Sequence, residues 1–329
     1  MQNSFGNFFK IKFNGHSHTH EMSVEISGDI PNGFIIDKDD LIKDLKRRKA
    51  GAIGTTPRIE EDIPEIIYTE NTIVILFRNN NIKDSDYNQF IDHPRPSHSD
   101  YVQWNRYHDE SFLLGGGISS GRMTLLLVSA GNVAKQIIHK RYPNIKVNAT
   151  IEQIGTITDK SNFKKIIEYA VNHKTSVGVK IHCNVSQDVP RFIGEPFFNS
   201  FESILSHLIF SIPGVKGIAF GDGFDCYTKW GDLRNDKFIN SSGETSTNNE
   251  GGINGGLTNG NPISFDVAIK PTPSIGISQD TFNFKTNKIE PLEIGGRHDV
   301  CFGLRVPVVI ESVVYITLLE LILWKRNLD

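Results

Sequence analysis

The sequence predicts an α+β fold, and three observations carry that expectation. Residues 63–68 and 72–77 are β-rich runs joined through Glu70 and Asn71, the pattern of a hairpin and hence of an antiparallel sheet. Leu126, Leu127, Ala130, Val133, Ala134 and Ile137 recur with helical period, as residues of a long helix do. No G-x-G-x-x-G follows a strand, so the fingerprint of a doubly wound dinucleotide-binding sheet is absent.

Further elements follow from local pattern. Residues 11–13, 23–26 and 34–36 read as strands, and 39–48 as a short helix with Leu41, Ile42 and Leu45 on one side. Residues 93–106 read as a polar loop. A glycine triplet, Gly115 to Gly117, and the pair Ser119 and Ser120 precede the long helix, with serine as its N-cap. Residues 163–171 and 201–209 read as amphipathic helices, and 176–182 and 263–269 as strands. Residues 240–261 have a linker's composition, but paired glycines four apart in NNEGGINGGLTNG suggest a ligand-facing loop. Residues 307–324 approach the length of a membrane span, yet Glu311 and Glu320 within them favour a buried core helix.

Hydrophobic residues make up 38% and charged residues 22%, which suits a soluble globular chain with a sizeable core. A net charge of -3 points to neither a nucleic-acid nor a membrane partner. Cys183, Cys226 and Cys301 are too scattered for a disulfide framework, and no signal peptide is read, so a cytoplasmic location is expected.

Several constellations could carry chemistry. His16, His18 and His20, two apart in GHSHTH, would share one face of a strand, so a metal site is one reading and a polar strand end the other. In RPSHSDY, His98 is a candidate for proton exchange, while Asp100 could simply cap the next segment. GGGISSGR places flexible backbone, two hydroxyls and Arg122 before a helix, a generic anion cradle. Arg47, Arg48, Arg58, Arg297 and Arg305 suit bidentate binding of phosphate or carboxylate, or plain surface charge. In GGRHDVC, Asp299 beside Arg297 and His298 is a proton acceptor or a salt-bridge partner.

Taken in order, these motifs resemble the chorismate synthase family along nearly the whole chain. FGNFFKIKFNGHSH is similar to the FGESHG region, LKRRKAG and PRIEED to RRRPG and R-x-E-x-D, and HPRPSHSDY to RPGHADY. GGGISSGRMT, GEPFF, SIPGVKGIAFGDGF, NNEGGINGGLTNG, KPTPSI and GGRHDVCFGLRVPVVIES follow in the family's order and spacing. The resemblance implies a single domain over 1–329, a β-α-β sandwich with helices packed between antiparallel sheets, and a homotetramer. It implies a lyase of the shikimate pathway for aromatic amino acids, which removes phosphate from 5-enolpyruvylshikimate 3-phosphate by 1,4-elimination. It implies reduced FMN as the cofactor, with NADPH as the reductant in some relatives. His18, His98 and Asp299 would be catalytic: His18 protonating the phosphate, His98 stabilising the reduced flavin, Asp299 assisting deprotonation through flavin N5. Ser119, Ser120, Asn249, Glu250, Gly255, Lys270, Pro271, Thr272, Pro273, Ser274 and Arg297 would line the flavin. Arg48, Arg58, Arg122 and Arg305 would hold the phosphorylated substrate.

The chain also departs from the family pattern. Ile118 replaces an arginine before the serine pair, a second arginine is missing within AGAIGTT, and Glu250 replaces an alanine. His16 and Thr19 stand for Glu and Gly, and Met123 for Glu. Two alternatives therefore stay open: a paralogue that binds flavin or a phosphorylated acid without turnover, and a metal-dependent enzyme using His16, His18 and His20.

Overall fold

Period-two alternation builds the first sheet. A computed structural model describes residues 3–58, 60–79, 90–108, 114–295 and 298–328. Strands β1 (Ser4–Phe5), β2 (Phe9–Asn14), β3 (Glu21–Gly28), β4 (Glu65–Tyr68) and β5 (Thr72–Arg78) lie in the order β1-β2-β3-β5-β4. All pairs are antiparallel, including the expected β4–β5 hairpin. Phe9, Ile11, Met22, Val24, Ile26, Ile73, Ile75 and Phe77 fall on the buried face, as alternation requires.

The second sheet has β6 (Val147–Ile154), β7 (Val179–Val185) and β8 (Val215–Phe220). After a two-residue pair, β9 (Ile253–Asn254) and β10 (Leu257–Thr258), it is completed by β11 (Ile263–Ile269). Its order is β6-β7-β11-β8, again antiparallel throughout. A separate hairpin, β12 (Gln279–Asn283) and β13 (Lys288–Leu292), closes over a small cluster of Phe90, Leu292 and Ile294.

The helices are α1 (Lys38–Arg48), α2 (Asp100–Tyr107), α3 (Thr124–Arg141), α4 (Phe163–Asn172), α5 (Phe201–Ile209), α6 (Gly231–Arg234) and α7 (Pro307–Leu328). Helix α7 packs along α3 and touches β2 of one sheet and β6 and β7 of the other, so the helical layer lies between the sheets. Gly131 permits this crossing: a Cβ there would sit 2.3 Å from Ser312 Cβ and 2.5 Å from Ser312 Cα. By length and composition α7 could cross a membrane, but most of it is buried inside the fold. Its two acids explain why. Glu320 accepts from the backbone amides of Asn7 (2.7 Å), Phe8 (3.1 Å) and Phe9 (2.8 Å). Glu311 accepts from both terminal nitrogens of Arg47 (2.6 and 2.8 Å) and from Ala149 N (3.1 Å). Each buried carboxylate therefore has several donors, and Arg47 serves the core, not a ligand.

Four expectations need correction. Phe34 and Ile36 are buried and Ile35 exposed, so the alternation is real, but among the described residues no strand pairs with 34–36. The Ile36 and Asp37 amides donate instead to Tyr68 Oη (3.0 Å) and Gln136 Oε1 (2.8 Å). The strand read at 176–182 is β7, three residues later. Val177 N is taken by Val300 O (3.0 Å), and Ser176 Oγ donates to Thr272 O (2.6 Å). Part of the loop read at 93–106 is helix α2. Ser120 caps a 3₁₀ turn (Gly121–Met123) ahead of α3, accepting from Arg122 N at 3.3 Å, whereas α3 itself has no side-chain cap.

Candidate active site

A cavity of about 490 Å³ opens where the turns of both sheets meet the start of α3. The β2–β3 turn brings His18, the segment after α1 brings Thr56, Arg58 and Glu60, and the loop before α2 brings Arg95, Ser97 and His98. Ile118, Ser119, Ser120 and Arg122 come from the entry to α3. The α5–β8 turn supplies Lys216, and the stretch after β11 supplies Lys270, Pro271, Thr272, Pro273 and Ser274. His298, Asp299 and Arg305 complete the wall.

Its electrostatics are dominated by cations. Among the described residues, Arg58, Arg95, Arg122, Lys216, Lys270 and Arg305 face the cavity against two carboxylates, Glu60 and Asp299. Several cations are fixed by acids. Arg58 donates from Nε (3.0 Å) and Nη2 (2.8 Å) to Glu60, and from Nη2 to Ser17 O (3.2 Å), which ties it to the turn carrying His18. Arg48 is fully buried behind the wall and does not line it. Its Nη2 meets Asp62 Oδ2 at 2.7 Å, and Arg122 Nη1 meets Asp62 Oδ1 at 2.8 Å. Burial opposes the Asp62 charge, but Arg48 and Arg122 together hold its carboxyl below the usual range. Burial pushes the Arg48 guanidinium down to about 10, with the charges of Arg305 and Arg122 acting the same way.

Asp299 is positioned from two sides. It accepts from Thr56 N at 2.8 Å and from Arg305 Nη1 at 3.1 Å. The AGAIGTT segment makes this possible, since Gly54 O takes both Val300 N and Cys301 N at 2.9 Å. His98 Nδ1 lies 2.6 Å from Asp100 Oδ1. Burial lowers the His98 pKa; Asp100 opposes this, while Arg95 and Lys270 reinforce it. His298 is pushed down to about 4, first by burial and then by Arg95, so it is neutral at physiological pH. Lys270 donates to Ser97 O at 2.8 Å, and its pKa is lowered by burial and then by the charge of Lys216.

The structure thus brings together His18, His98, Asp299, Ser119, Ser120, the 270–274 stretch, Arg58, Arg122 and Arg305. It does not bring Asn249, Glu250 or Gly255 to this cavity within one chain. Asn249 and Glu250 donate their backbone amides to Asp236 (2.9 Å each), and Glu250 forms an ion pair with Arg234. The 240–261 loop is folded onto its own neighbours, with Asn248 bridging Pro262 O (2.8 Å) and Gly252 N (2.8 Å). Arg297 lies outside the described residues. His16, His18 and His20 sit in a turn and not on a strand, and Thr19 closes that turn by accepting from His16 N (2.9 Å) and donating to His16 O (2.8 Å). Among the described residues, no group of three or more His, Cys, Asp or Glu side chains is placed to hold a metal ion.

Sequence reasoning passed over Asp62, Arg95, Lys216 and His298 as wall or support residues, and weighed Asp100 only as a cap. The signal was present in the motifs, because R-x-E-x-D contains the acids that pin arginines.

The comparisons with known proteins agree with the order of these motifs. The family model described as chorismate synthase matches residues 9–323. The chorismate synthase of Chitinophaga pinensis is 44% identical over 332 residues, covering 99% of this chain and 98% of the relative. That of Pyrococcus abyssi is 35% identical, covering 95% of each. The chain belongs to the chorismate synthase family. A crystal structure of chorismate synthase superposes with a TM-score of 0.72 at 20% identity, covering 98% of this chain and 93% of that one, which establishes the shared α+β fold. Members carrying the family name are lyases. Seen within the family, two of the departures, Ile118 and Glu250, fall in different places. Ile118 lies on the cavity wall, whereas Glu250 lies outside it with its charge met by Arg234.

Proposed function

We propose that the chain is an active chorismate synthase: it eliminates phosphate from 5-enolpyruvylshikimate 3-phosphate to give chorismate, with reduced FMN bound in the same cavity. The observation that carries this is the convergence of His18, His98 and Asp299 in one cation-rich cavity. The donor set fits two anionic, oxygen-rich ligands. Arg122 Nη2 and Thr272 Oγ1 are buried without a hydrogen-bond partner, and both belong to wall residues. A buried donor with no partner is costly, and a ligand oxygen relieves that cost.

The reaction breaks one C–O bond to phosphate and one C–H bond, with no net redox change. What reduced FMN supplies when bound is electron density lent to the reacting ring and returned within the turnover. The protein binds, orients and balances charge. Arg58, Arg122 and Arg305, with Arg48 behind them, hold the phosphate and carboxylates and stabilise charge gathering on the leaving oxygen. His18 gives the departing phosphate its proton. Ser119, Ser120 and the 270–274 stretch hold the cofactor. His98 and Asp299, each fixed by an ion-paired neighbour, hold the protons that move at the cofactor side.

The proposed assembly is a cytoplasmic homotetramer. Exposed Phe197, Phe198, Phe224, Tyr227, Trp230 and Phe238 give it apolar surface to cover. In it, Asn249, Glu250 and Gly255 would serve a neighbouring protomer's cavity.

The test is anaerobic mixing of the protein with chemically reduced FMN and 5-enolpyruvylshikimate 3-phosphate, following chorismate absorbance and phosphate release. Turnover is expected, and its loss in His98→Ala. A folded protein that binds reduced FMN yet releases no phosphate would instead be the non-catalytic paralogue.

A further inference from the structure

His98 is the wall residue whose surroundings are most fully determined, and the group that determines them is Asp100. Asp100 opens helix α2 and has no exposed surface. A fully buried carboxylate needs a counter-charge and several donors. Arg95 supplies the charge, with Nε 2.7 Å from Oδ2 and Nη2 2.7 Å from Oδ1, and the Arg95 backbone amide adds a third donor at 3.2 Å. Arg95 is itself held, since its guanidinium lies 4.4 Å from the centre of the Phe90 ring and Nη1 donates to Ser274 Oγ at 3.1 Å. The remaining capacity of Asp100 Oδ1 goes to His98 Nδ1 at 2.6 Å.

An ionised carboxylate only accepts. Nδ1 must therefore carry the hydrogen, which leaves the lone pair of the neutral ring on Nε2. The Cε1–Nε2 edge lies beside Gly116, where a Cβ would stand 3.6 Å from Cε1 and 3.7 Å from Nε2. A Cβ there would make only ordinary contact, so this edge of the ring is not crowded, and His98 is among the residues that line the cavity.

We propose that Asp100 is the positioning residue of this site, locking His98 in the Nδ1–H tautomer so that Nε2 is the atom that takes up and returns a proton at the cavity. This rests on the lyase reading for its catalytic meaning, but the tautomer itself does not. When Nε2 is protonated, Asp100 is already in place to balance the imidazolium. Burial opposes the Asp100 charge, but Arg95 and His98 together hold its carboxyl well below the usual carboxylate range. The Arg95–Ser274 bond also ties this dyad to the 270–274 stretch, so histidine and stretch keep a fixed separation.

The test begins on the unaltered chain. Long-range proton–nitrogen correlation spectra of protein labelled with ¹⁵N-histidine, at mildly alkaline pH, report which ring nitrogen is protonated. The His98 signals are assigned by their loss in His98→Gln. Protonated Nδ1 with bare Nε2 is expected, and the opposite tautomer overturns the proposal without any change at Asp100. Asp100→Asn removes the obligation, because the amide can donate to Nδ1. In that variant the ring moves toward the Nε2–H form, and kcat falls by roughly 100-fold with a smaller change in KM, the scale of a misassigned general acid–base group. Asp100→Glu restores part of kcat. An Asp100→Asn enzyme that keeps both the tautomer and the turnover also overturns the proposal. Should that variant fail to fold, the unaltered spectrum still decides. Wild-type protein with protonated Nδ1 but no turnover would sink the lyase reading and leave the positioning intact.

Discussion

Asp62→Asn tests the way this site stores positive charge. Asp62 is shared by Arg48 and Arg122, at 2.7 and 2.8 Å, and Arg48 is 1% exposed. The amide keeps the shape of the side chain but loses its charge. Its oxygen can still accept from one guanidinium, while its NH2 group faces the donors of the other. Removing one partner of a buried ion pair costs about 3–5 kcal/mol, mostly because the other charge stays buried and unpaired. The surviving hydrogen bond places the expectation near the lower end, about 3 kcal/mol. Urea unfolding of both proteins measures the difference. The pH dependence then separates charge from packing. The folded-state pKa of Asp62 lies below its ordinary value of 3.8, so the stability it contributes is fully present above that value. It is lost as pH falls from there through the depressed folded value. The gap between wild type and Asp62→Asn must therefore close on acidification and stay constant from mildly acidic to neutral pH. A gap under about 1 kcal/mol at neutral pH, no more than an exposed pair is worth, would refute the reasoning. So would a gap that does not shrink in acid.

Gly131→Ala pits helix propensity against packing. The substitution favours an isolated helix by about 1 kcal/mol, but a Cβ at 2.3 Å from Ser312 Cβ and 2.5 Å from Ser312 Cα forces α3 and α7 apart. Overpacking against backbone costs about 1–3 kcal/mol or more, so a lower urea midpoint is expected, and a higher one would show that the crossing is loose. Ile118→Arg adds the family's missing cation to the cavity wall. Calorimetric titration with reduced FMN and with substrate should show about tenfold tighter binding of at least one, close to 1.4 kcal/mol, with steeper salt dependence. Unchanged affinity for both at low salt would mean that position 118 does not face the anions.

Much of this was legible in the sequence because local and global pattern agree. β5, β11, α4 and α5 each carry a period that the tertiary structure uses, and α7 carries an apolar run that the core buries on nearly all sides. Residues 34–36 carry the same alternation, and their burial alternates as a strand's would, but sequence cannot show whether a neighbouring strand is present. The same blindness to distant partners displaced β7, whose expected first residues bond to the chain near Thr272 and Val300. In the site, titratable groups inside motifs could be named, and His18, His98, Asp299, Arg58, Arg122 and Arg305 meet in one cavity. What could not be read was direction. Arg47 and Arg48 are neighbours on α1, yet one turns to Glu311 in the core and the other to Asp62 behind the cavity. Nor could the sequence place Glu250, whose charge is met by Arg234 in a loop away from the wall.

The acids of these motifs explain how so many cations can face one cavity in a chain of net charge -3. Like charges on a common wall repel, and flexible arginines would turn to solvent. Here Glu60 pins Arg58, Asp62 pins Arg48 and Arg122, Asp100 pins Arg95, and Asp299 pins Arg305. Guanidinium has five donors and a carboxylate occupies at most two of them well. Each pair therefore cancels much of the repulsion while leaving N–H groups over for a ligand, as the unpartnered Arg122 Nη2 shows. The two lysines follow another rule. Lys270 is tethered to a carbonyl, and Lys216 helps to depress its pKa. An anion bound between them would relieve that repulsion. A wall built this way is preorganised where carboxylates stand behind it and responsive where they do not. The carboxylate-backed part of the wall includes Asp299, paired with Arg305, and His98, held through the Arg95–Asp100 pair.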